Sequence, residues 1–408
     1  MIALLEGRRI LLGVTGSIAA YKAADLASRL TQAGAQVDVL LTESAQRFVS
    51  ALTFQSVTGR RAYTEADLWG AEAHVLHVGL AQGADLLVIA PATADTLAKL
   101  AQGRADTLLT LTALAATCPL LLAPAMDAGM YGHPATQTNL ETLRSRGAIL
   151  VGPAEGRMAS GLLGRGRMVE PAELLGHIRL ALGRKGPLAG RKVVVTAGGT
   201  QEPLDPVRAL TNHSSGKQGY ALAQAALDRG AQVTLISAPT ALAAPIGAVA
   251  ISVRTAAQMG EALLPAVAQA AVLLMAAAVA DFRPARPSEQ KHKRGRGTPE
   301  FELEPTVDLL AQVMEQRVRS AGPQVVVGFA AESQDLVQNA RAKLEAKGLS
   351  LVVANDITAS NAGFAADTNQ VTLLDPEGRV EPLPLMSKAE VAEVVLDRVV
   401  ELLRAGDA

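Results

Sequence analysis

Polar segments follow short apolar runs at four places in the first half of the chain, and each could contact a ligand. Segment 13–17 (GVTGS) contains two glycines, which permit a tight turn. A helical pattern follows it, and the free N–H groups at the start of a helix can bind an anion. Segment 42–45 (TESA) offers a second such position, and segments 90–99 (APATADTLAK) and 123–131 (APAMDAGMY) add hydroxyl, carboxyl and thioether groups. Taken alone, segment 13–17 is equally typical of an ordinary turn. Segment 90–99 is equally typical of a helix that is capped by threonine or aspartate.

Two further features of this half could take part in chemistry. His74 and His77 lie three residues apart, where a histidine could act as a base near neutral pH. They could also suggest a metal, but no third ligand lies near them in the sequence, and a lone histidine is more often structural. The glycine-rich segment 158–168 is too permissive for a regular helix. It indicates either a surface loop or a flap that closes over a substrate.

The second half contains an independent set of candidates. Segment 202–217 (EPLDPVRALTNHSSGK) lacks the spacing of a P-loop, yet its donor-rich end opens a helix and suits phosphate or carboxylate. Asp281 ends an apolar run. Segment 291–296 has four cations and no aromatic residue, which favours phosphate neutralisation or a solvated loop over nucleic-acid binding. Lys343 and Lys347 share one helix face, where solvated lysines are commoner than ligand-binding ones.

Short continuous Val/Leu/Ile runs alternate with helical patterns, which predicts an α/β protein whose mostly parallel strands are covered on both faces. A helix is expected after Ser17, which could cap it. Segment 183–192, rich in Gly, Pro and basic residues, is typical of a linker. Segment 375–378 (DPEG) predicts a hairpin, and a closing helix is expected over 387–405. Strands are predicted at 8–14, 37–41, 86–90, 120–123, 192–195, 232–236, 272–276, 325–328, 349–354, 371–374 and 380–385.

Length and composition limit the class of protein. The chain has 408 residues, 49% hydrophobic and 19% charged, which favours two or three globular domains. Its net charge of −1 provides no field for nucleic acid or a membrane surface. The first residues do not resemble a signal peptide, and no apolar run is long enough for a membrane span. The single cysteine, Cys118, excludes an internal disulfide, so a cytoplasmic location is expected.

Taken together, these motifs resemble the bacterial bifunctional phosphopantothenoylcysteine decarboxylase/phosphopantothenate–cysteine ligase family of coenzyme A biosynthesis, over nearly the whole chain. The resemblance implies a flavodoxin-like N-terminal domain, of the homo-oligomeric flavin-containing cysteine decarboxylase type, over 1–186. It implies a Rossmann-like ligase domain over 187–408. N-terminal trimers and ligase dimers are implied, which together would build a dodecamer. The motifs that carry it are GVTGSIAAYK (13–22), APATADTLAKLAQGRAD (90–106), EPLDPVRALTNHSSGK (202–217), AAAVADF (276–282) and VGFAAE (327–332).

For the first half, the resemblance implies FMN-dependent decarboxylation of 4′-phosphopantothenoylcysteine, with His77 handling protons. Two positions depart from the family pattern. Asp127 stands where an asparagine amide usually donates to the substrate carboxylate, and Ser160 stands where a cysteine usually serves the reductive step. A serine hydroxyl is a much weaker acid than a thiol. The implied FMN-binding residues are Gly16, Ser17, Thr42, Ser44, Ala92, Thr93 and Met126.

For the second half, the resemblance implies that CTP with Mg²⁺ activates the carboxylate of 4′-phosphopantothenate as an acyl-cytidylate, which the amine of L-cysteine then attacks. Asn212 would stabilise that intermediate, and Arg208 would help to bind it or turn it over. Residues that bind the metal are not predicted. The implied nucleotide-binding residues are Ala277, Asp281, Lys291, Phe329, Lys343 and Lys347.

Two alternatives stay open at this point. Asp127 and Ser160 would also fit an active ligase whose flavin-binding half is a scaffold that does not decarboxylate. A nicotinamide-dependent oxidoreductase built from two nucleotide-binding halves is the other alternative, although neither half contains G-x-G-x-x-G.

Overall fold

The chain divides into two units, Met1–Leu182 and Gly183–Ala408, which are described separately. A computed structural model describes residues 4–69, 75–159, 161–291, 300–319, 322–332, 334–356 and 366–407. His74, Ser160 and most of the basic segment 291–296 lie outside these ranges. Among the described residues, no helix is both long and apolar enough to cross a membrane.

A six-stranded parallel sheet in the order β3-β2-β1-β4-β5-β6 forms the centre of the first unit. Short 3-10 helices occur at Ala45–Arg47 and Glu65–Trp69. The strands are β1 Arg9–Val14, β2 Gln36–Leu41, β3 Ala62–Tyr63, β4 Leu86–Ala92, β5 Leu120–Pro124 and β6 Ile149–Leu150. The helices are α1 Ala20–Gln32, α2 Ala51–Thr58, α3 Leu76–Gln82, α4 Ala94–Gln102, α5 Leu108–Ala115, α6 Ala128–Gly132, α7 Pro134–Ser145 and α8 Pro171–Gly183.

Both faces of this sheet are buried, as the continuous apolar runs predict. Along β4, Val88 packs into one hydrophobic cluster and its neighbours Leu87 and Ile89 into the other, because successive side chains of a strand point to opposite faces. All three side chains are fully buried. The predicted α/β class with a parallel sheet is confirmed for this unit.

The glycine-rich segment forms an antiparallel hairpin, β7 Ala154–Arg157 and β8 Leu163–Arg167, outside the main sheet. Gly166 lets this hairpin approach the loop after β5: a Cβ at that position would lie 2.3 Å from the Met126 carbonyl oxygen. The Met126 N–H also donates to the Gly166 carbonyl at 3.0 Å. The hairpin is therefore fixed against the loop that contains Asp127.

The second unit is built around an eight-stranded sheet in the order β13-β12-β9-β14-β17-β18-β20-β21. Its first six strands are parallel, while β20 and β21 run antiparallel and form the predicted hairpin. The main strands are β9 Lys192–Ala197, β12 Gln232–Ser237, β13 Val249–Ser252, β14 Val272–Met275, β17 Val325–Glu332, β18 Leu351–Asp356, β20 Val371–Leu374 and β21 Val380–Pro382.

Helices cover this sheet, and α9 packs against the closing helix α13. Three short antiparallel pairs, β10–β11, β15–β16 and β19–β22, lie outside the main sheet. The helices are α9 Lys217–Asp228, α10 Ala256–Val267, α11 Leu309–Arg319, α12 Leu336–Lys347 and α13 Lys388–Asp407. The short strands are β10 Gln201–Pro203, β11 Ala209–Thr211, β15 Phe282–Pro284, β16 Leu303–Pro305, β19 Thr368–Asn369 and β22 Met386–Ser387.

The main local error of the sequence analysis is at the first helix. It begins at Ala20, three residues after the predicted cap, and its N-cap residue Ala19 makes no side-chain cap. Ser17 instead accepts a hydrogen bond from the Ala19 N–H at 3.3 Å, inside the turn that follows β1. This turn leaves Ser17 at the mouth of a cleft rather than at the start of a helix.

Candidate functional site

The first cleft opens at the carboxyl ends of β1, β2, β4 and β5 and measures about 690 Å³. Strand β1 lies between β2 and β4, so the strand order reverses at β1. In open parallel sheets, ligands bind at such a switch point. Six of the seven predicted FMN-binding residues line this cleft. These lining residues are Gly16, Ser17, Thr42, Ser44, Thr93 and Met126.

Hydrogen bonds between the strand ends fix the floor of this cleft. The Thr15 hydroxyl donates to the Pro91 carbonyl at 2.7 Å and accepts from the Thr93 N–H at 3.1 Å. The Thr93 hydroxyl in turn accepts from the Thr96 N–H and caps α4, so the capping interpretation of this threonine holds alongside its position in the cleft. Ala92, also predicted to bind FMN, is fully buried in β4 and does not line the cleft.

The loops after β1 and β2 touch each other closely at the other end of the cleft. A Cβ at Gly16 would lie 2.4 Å from the Cβ of Ser44, a distance that no pair of side chains adopts. Only glycine therefore permits this approach. The hydroxyl groups of Ser17 and Ser44 line the cleft on either side of the contact and can donate to an anion.

Acidic side chains also line this cleft, and of these Glu65 was missed by the sequence analysis. Lys99 lies 3.3 Å from Asp95 and 3.5 Å from Asp106. Glu65 accepts a hydrogen bond from the Leu108 N–H at 2.8 Å, while its other carboxylate oxygen is buried without a hydrogen-bond partner among the described residues. Burial raises the pKa of Glu65 above its ordinary value, against the lowering effect of the Leu108 bond.

A second cleft, of about 590 Å³, adjoins the first along Ser17 and Met126 and runs under the β7–β8 hairpin. Asp127 lines it and accepts a hydrogen bond from the Gly129 N–H at 3.0 Å, which makes it the N-cap of α6. Its predicted contact with the substrate stays a prediction. Ser160 lies outside the described residues, so its predicted role stays a prediction as well.

His77 lies on α3, away from both clefts of its own chain. Helix α3 packs on α5, which begins at the rim of the first cleft. The Nδ1 atom of His77 is buried and has no hydrogen-bond partner within the described parts of the chain. Its catalytic role stays a prediction.

In the second unit, a cleft of about 990 Å³ opens at the carboxyl ends of β14 and β17. Strand β9 lies between β12 and β14, so this is again a switch point. The Asn212 side chain reaches the cleft and donates to the Val279 carbonyl at 3.1 Å. Six predicted residues of the ligase half share this cleft: Asn212, Ala277, Asp281, Phe329, Lys343 and Lys347.

Lys343 is the most constrained cation of this cleft. Its ammonium donates to the Phe329 carbonyl at 2.6 Å. Burial lowers the pKa of Lys343 below its ordinary value, while the carboxylates of Glu332 and Asp281 oppose that shift. An anion in the cleft would face this ammonium and offset the unfavourable burial of its charge.

Lys347 is held differently, one turn further along α12. It forms an ion pair with Asp308. Burial alone would raise the pKa of Asp308, but the hydrogen bonds from Lys347 and from the Ala311 N–H bring that pKa below its ordinary value. Asp308 was not singled out from the sequence, because nothing in the chain near it marks a site.

A smaller neighbouring pocket of about 140 Å³ shares Phe329 with this cleft and contains groups that sequence analysis also missed. Lys388 is buried, and its ammonium donates to the Ala366 carbonyl at 2.6 Å. Burial, and next the charge of Lys217, lower the pKa of Lys388. The Asn355 side-chain oxygen is buried without a partner in the described segments. These residues come from distant parts of the chain, so no local motif could reveal them.

Arg208 and Lys291, also predicted for the ligase site, do not line either pocket. Arg208 makes hydrogen bonds of 2.9 and 2.5 Å to the buried carboxylate of Asp205. This contact gives Arg208 a structural explanation in the loop between β10 and β11. Lys291 is exposed and borders residues outside the described ranges.

Two α/β units, each with a polar cleft at its switch point, define the class of this protein as a two-domain α/β protein with a ligand-binding cleft in each unit. Residues 3–182 match the family Flavoprotein, and residues 188–403 match the family DNA/pantothenate metabolism flavoprotein C-terminal domain. The coenzyme A biosynthesis bifunctional protein CoaBC of Bacillus subtilis is 46% identical over 402 residues, 98% of each chain.

A second relative points to the same family. The corresponding protein of Vibrio cholerae is 43% identical over 399 residues, which are 97% of this chain and 99% of its own. The chain is also similar to a solved structure of the C-terminal domain of a CoaBC protein, with 36% identity over 54% of this chain and 99% of that one and a TM-score of 0.45. This chain belongs to the family of coenzyme A biosynthesis bifunctional proteins. The predicted family is confirmed, and the nicotinamide-dependent alternative is replaced.

The buried carboxyl of Glu65 predicts a pH-dependent cost in stability. The pKa of Glu65 in the folded protein lies above its ordinary value of 4.5. Below pH 4.5 the carboxyl is protonated in both states, so its burial does not reduce the free energy of unfolding. Above pH 4.5 the unfolded state ionises more readily, so the free energy of unfolding falls as pH rises toward the folded pKa. Glu65→Gln should raise the melting temperature at pH 7 by only about 1–2 °C, since solvent screens a half-exposed group. The gain should disappear near pH 4.

Thermal unfolding at both pH values, followed by circular dichroism, measures this difference. Glu141→Gln, a change on the exposed face of α7, is the matched control and should show no such gain. Equal melting temperatures for Glu65→Gln and the wild type at pH 7 would contradict the expected cost.

Proposed function

We propose that this chain ligates L-cysteine to 4′-phosphopantothenate with CTP and then decarboxylates the product, 4′-phosphopantothenoylcysteine, to 4′-phosphopantetheine with FMN. The observation that carries the proposal is the grouping of the family's motifs at two separate switch-point clefts, one in each unit. Family membership over 98% of the chain supports both halves of the reaction. The decarboxylase is assigned to 1–186 and the ligase to 187–408.

The first cleft fits FMN by size and by chemistry. Its volume of about 690 Å³ lies in the range of cofactor pockets. The phosphate is assigned to the Ser17 and Ser44 hydroxyls, which line the cleft and can donate to an anion. The flavin would supply reversible two-electron oxidation of the substrate. The chain's own groups bind it, orient it and exclude water.

The substrate cleft under the hairpin adjoins the flavin cleft, as a redox reaction between the two ligands requires. His77 is proposed to handle protons, but it does not line either cleft of its own chain. A neighbouring subunit is therefore proposed to complete the site in an N-terminal trimer, which the half-exposed His77 ring could then reach. Ligase dimers, their assembly with the trimers into a dodecamer, and a cytoplasmic location stay predictions.

In the ligase half, Lys343 and Lys347 are proposed to neutralise the triphosphate of CTP and the charge that develops as pyrophosphate leaves. Asn212 is proposed to donate to the acyl-cytidylate through an amide already oriented by Val279. Lys291 and Arg208 are proposed to assist from the surrounding loops.

Mg²⁺ is proposed to enter this cleft with the nucleotide rather than to occupy a site of its own. Magnesium commonly binds one or two carboxylates together with substrate phosphates. Asp281 and Asp308 line the cleft and could serve in this way. Groups of three or more potential metal ligands are absent from the described residues, which fits a metal held mainly by phosphate.

A coupled assay on the purified full-length protein tests the proposal. With 4′-phosphopantothenate, L-cysteine, CTP and Mg²⁺, pyrophosphate, CO₂ and 4′-phosphopantetheine should appear in step. Pyrophosphate without CO₂ would instead indicate an active ligase with a flavin-binding scaffold. Replacing CTP by ATP in the same assay measures the nucleotide preference.

The close contact between Gly16 and Ser44 predicts a steric effect on FMN binding. Gly16→Ala places a methyl group against the Ser44 side chain and should separate the two loops, at a cost of about 1–3 kcal/mol. FMN affinity, measured by quenching of flavin fluorescence, should fall about tenfold or more.

A rescue variant separates this steric effect from a loss of polar groups. Ser44→Gly removes the clashing Cβ, so the double variant Gly16→Ala/Ser44→Gly should bind FMN no more weakly than Ser44→Gly alone. If the two substitutions weaken FMN binding additively in the double variant, the contact between Gly16 and Ser44 is not the cause.

The position of Asn212 predicts a selective loss in the ligase reaction. Asn212→Ala removes a donor in the cleft and should lower the turnover of pyrophosphate release about a hundredfold, as loss of an oriented transition-state donor does. Flavin content and CO₂ release from added 4′-phosphopantothenoylcysteine should stay at the wild-type level.

Asn339→Ala is the matched control for this variant. Asn339 lies on α12 and bonds Glu332 and the Gln334 carbonyl, outside the cleft lining. Its ligase kinetics should be normal. Unchanged kinetics in Asn212→Ala itself would remove Asn212 from the site.

A further inference from the structure

The cleft under the hairpin carries an excess of positive charge. Lys22, Arg157 and Arg167 line it, against a single lining carboxylate, Asp127. Three positive charges and one negative charge leave a formal charge of +2 on the lining side chains. This arrangement suits an anionic ligand, and it includes the aspartate that departs from the family pattern.

The three cations differ in how far they are already neutralised. The Lys22 ammonium is buried and donates to Glu170 at 2.7 Å and to the Met168 carbonyl at 3.1 Å, so its role is structural. Arg167 approaches the same exposed Glu170 only at 3.4 Å. Arg157 makes no ion pair or side-chain hydrogen bond with any residue that the structure describes. The two arginines therefore retain donors for a ligand.

The hairpin fixes where these arginines can act. Gly156 lets the Arg167 side chain lie across β7: a Cβ there would be 2.9 Å from an Arg167 terminal nitrogen. Gly164 and Gly166 bring β8 against the loop of Met126 and Ala128, beside Asp127. The arginines thus line the same cleft as Asp127 on a segment packed against it.

The charge of Asp127 creates the need for such groups. The proposed substrate carries a carboxylate and a phosphate, and an ionised aspartate can only accept hydrogen bonds and repels both. A guanidinium offers a planar fork of donors that matches either anion with two bonds. Positive charge elsewhere in the cleft can therefore supply the attraction that an asparagine amide would otherwise contribute.

We propose that Arg157 and Arg167 bind an anionic group of the decarboxylase substrate and offset the repulsion from Asp127. They are specificity-determining residues, distinct from the flavin-binding residues and from the proton-handling histidine. The inference rests on the proposed decarboxylase function, which the coupled assay tests separately.

Steady-state CO₂ release from 4′-phosphopantothenoylcysteine, with the FMN-loaded full-length protein, tests this inference. Arg157→Gln and Arg167→Gln should each raise KM roughly tenfold, as loss of a charged hydrogen bond does, with a smaller change in kcat. The double variant Asp127→Asn/Arg157→Gln removes one charge of each sign and keeps the formal charge at +2. Its KM should return toward the wild-type value.

Arg165→Gln is the matched control, because Arg165 lies on the same strand but does not line the cleft. Its guanidinium lies 5.9 Å from the Tyr131 ring centroid, and its Nε donates to the Pro153 carbonyl at 3.3 Å. Its KM should stay within about twofold of the wild type, since surface charges contribute little. Flavin absorbance and pyrophosphate release confirm that each variant is folded.

Unphosphorylated pantothenoylcysteine identifies which anion is bound. If the arginines hold the phosphate, their replacement should not change KM for this substrate. If they hold the carboxylate, KM should rise equally for both substrates.

Calorimetric binding of a non-reactive phosphorylated analogue gives a second readout that does not depend on turnover. Wild-type KM and affinity in Arg157→Gln and Arg167→Gln would overturn the inference. Absence of CO₂ from the wild type, with normal analogue binding that the variants weaken, would instead overturn decarboxylation alone.

Discussion

The parallel pairing of a first strand with neighbours on both sides determines where each half of this protein can bind ligands. In the first unit β1 lies between β2 and β4, and in the second β9 lies between β12 and β14. Connections that leave such a strand in opposite directions open a crevice at its carboxyl end. Polar residues that are far apart in the sequence meet there, while the central strands β4, β9 and β14 remain largely apolar and buried.

Unfavourable groups are concentrated at these crevices. The buried oxygen of Glu65, the buried ammonium of Lys343 and the pocket around Lys388 each carry polar or charged atoms that a packed core would not retain. A largely buried charge outside these crevices is paired instead: the Arg229 guanidinium contacts both Glu393 and Asp397. The clefts therefore contain groups that lower the stability of the fold, as functional sites commonly do.

Much of this organisation could be predicted from the sequence, because it depends on local patterns. Apolar runs located the central strands, and the motifs after β1, β4 and β14 pointed to residues that line the clefts. Glu65, Asp308 and Lys388 could not be found in this way, since each reaches its cleft from a segment without a motif. The start of α1 was missed because the turn after β1 uses Ser17 locally, before the helix begins.

The hairpin shows why residue type alone is an uncertain guide to a site. Three glycines make segment 158–168 look like a featureless loop, yet two of them allow close packing on the loop of Met126 and Ala128. That packing places side chains of β7 and β8 in the cleft beside Asp127. Asp127, which alone would repel an anionic substrate, is then one negative charge in a cleft whose lining side chains are positive overall. A substitution at a binding position is best judged by the total charge of its cleft, because an anion responds to all nearby groups together.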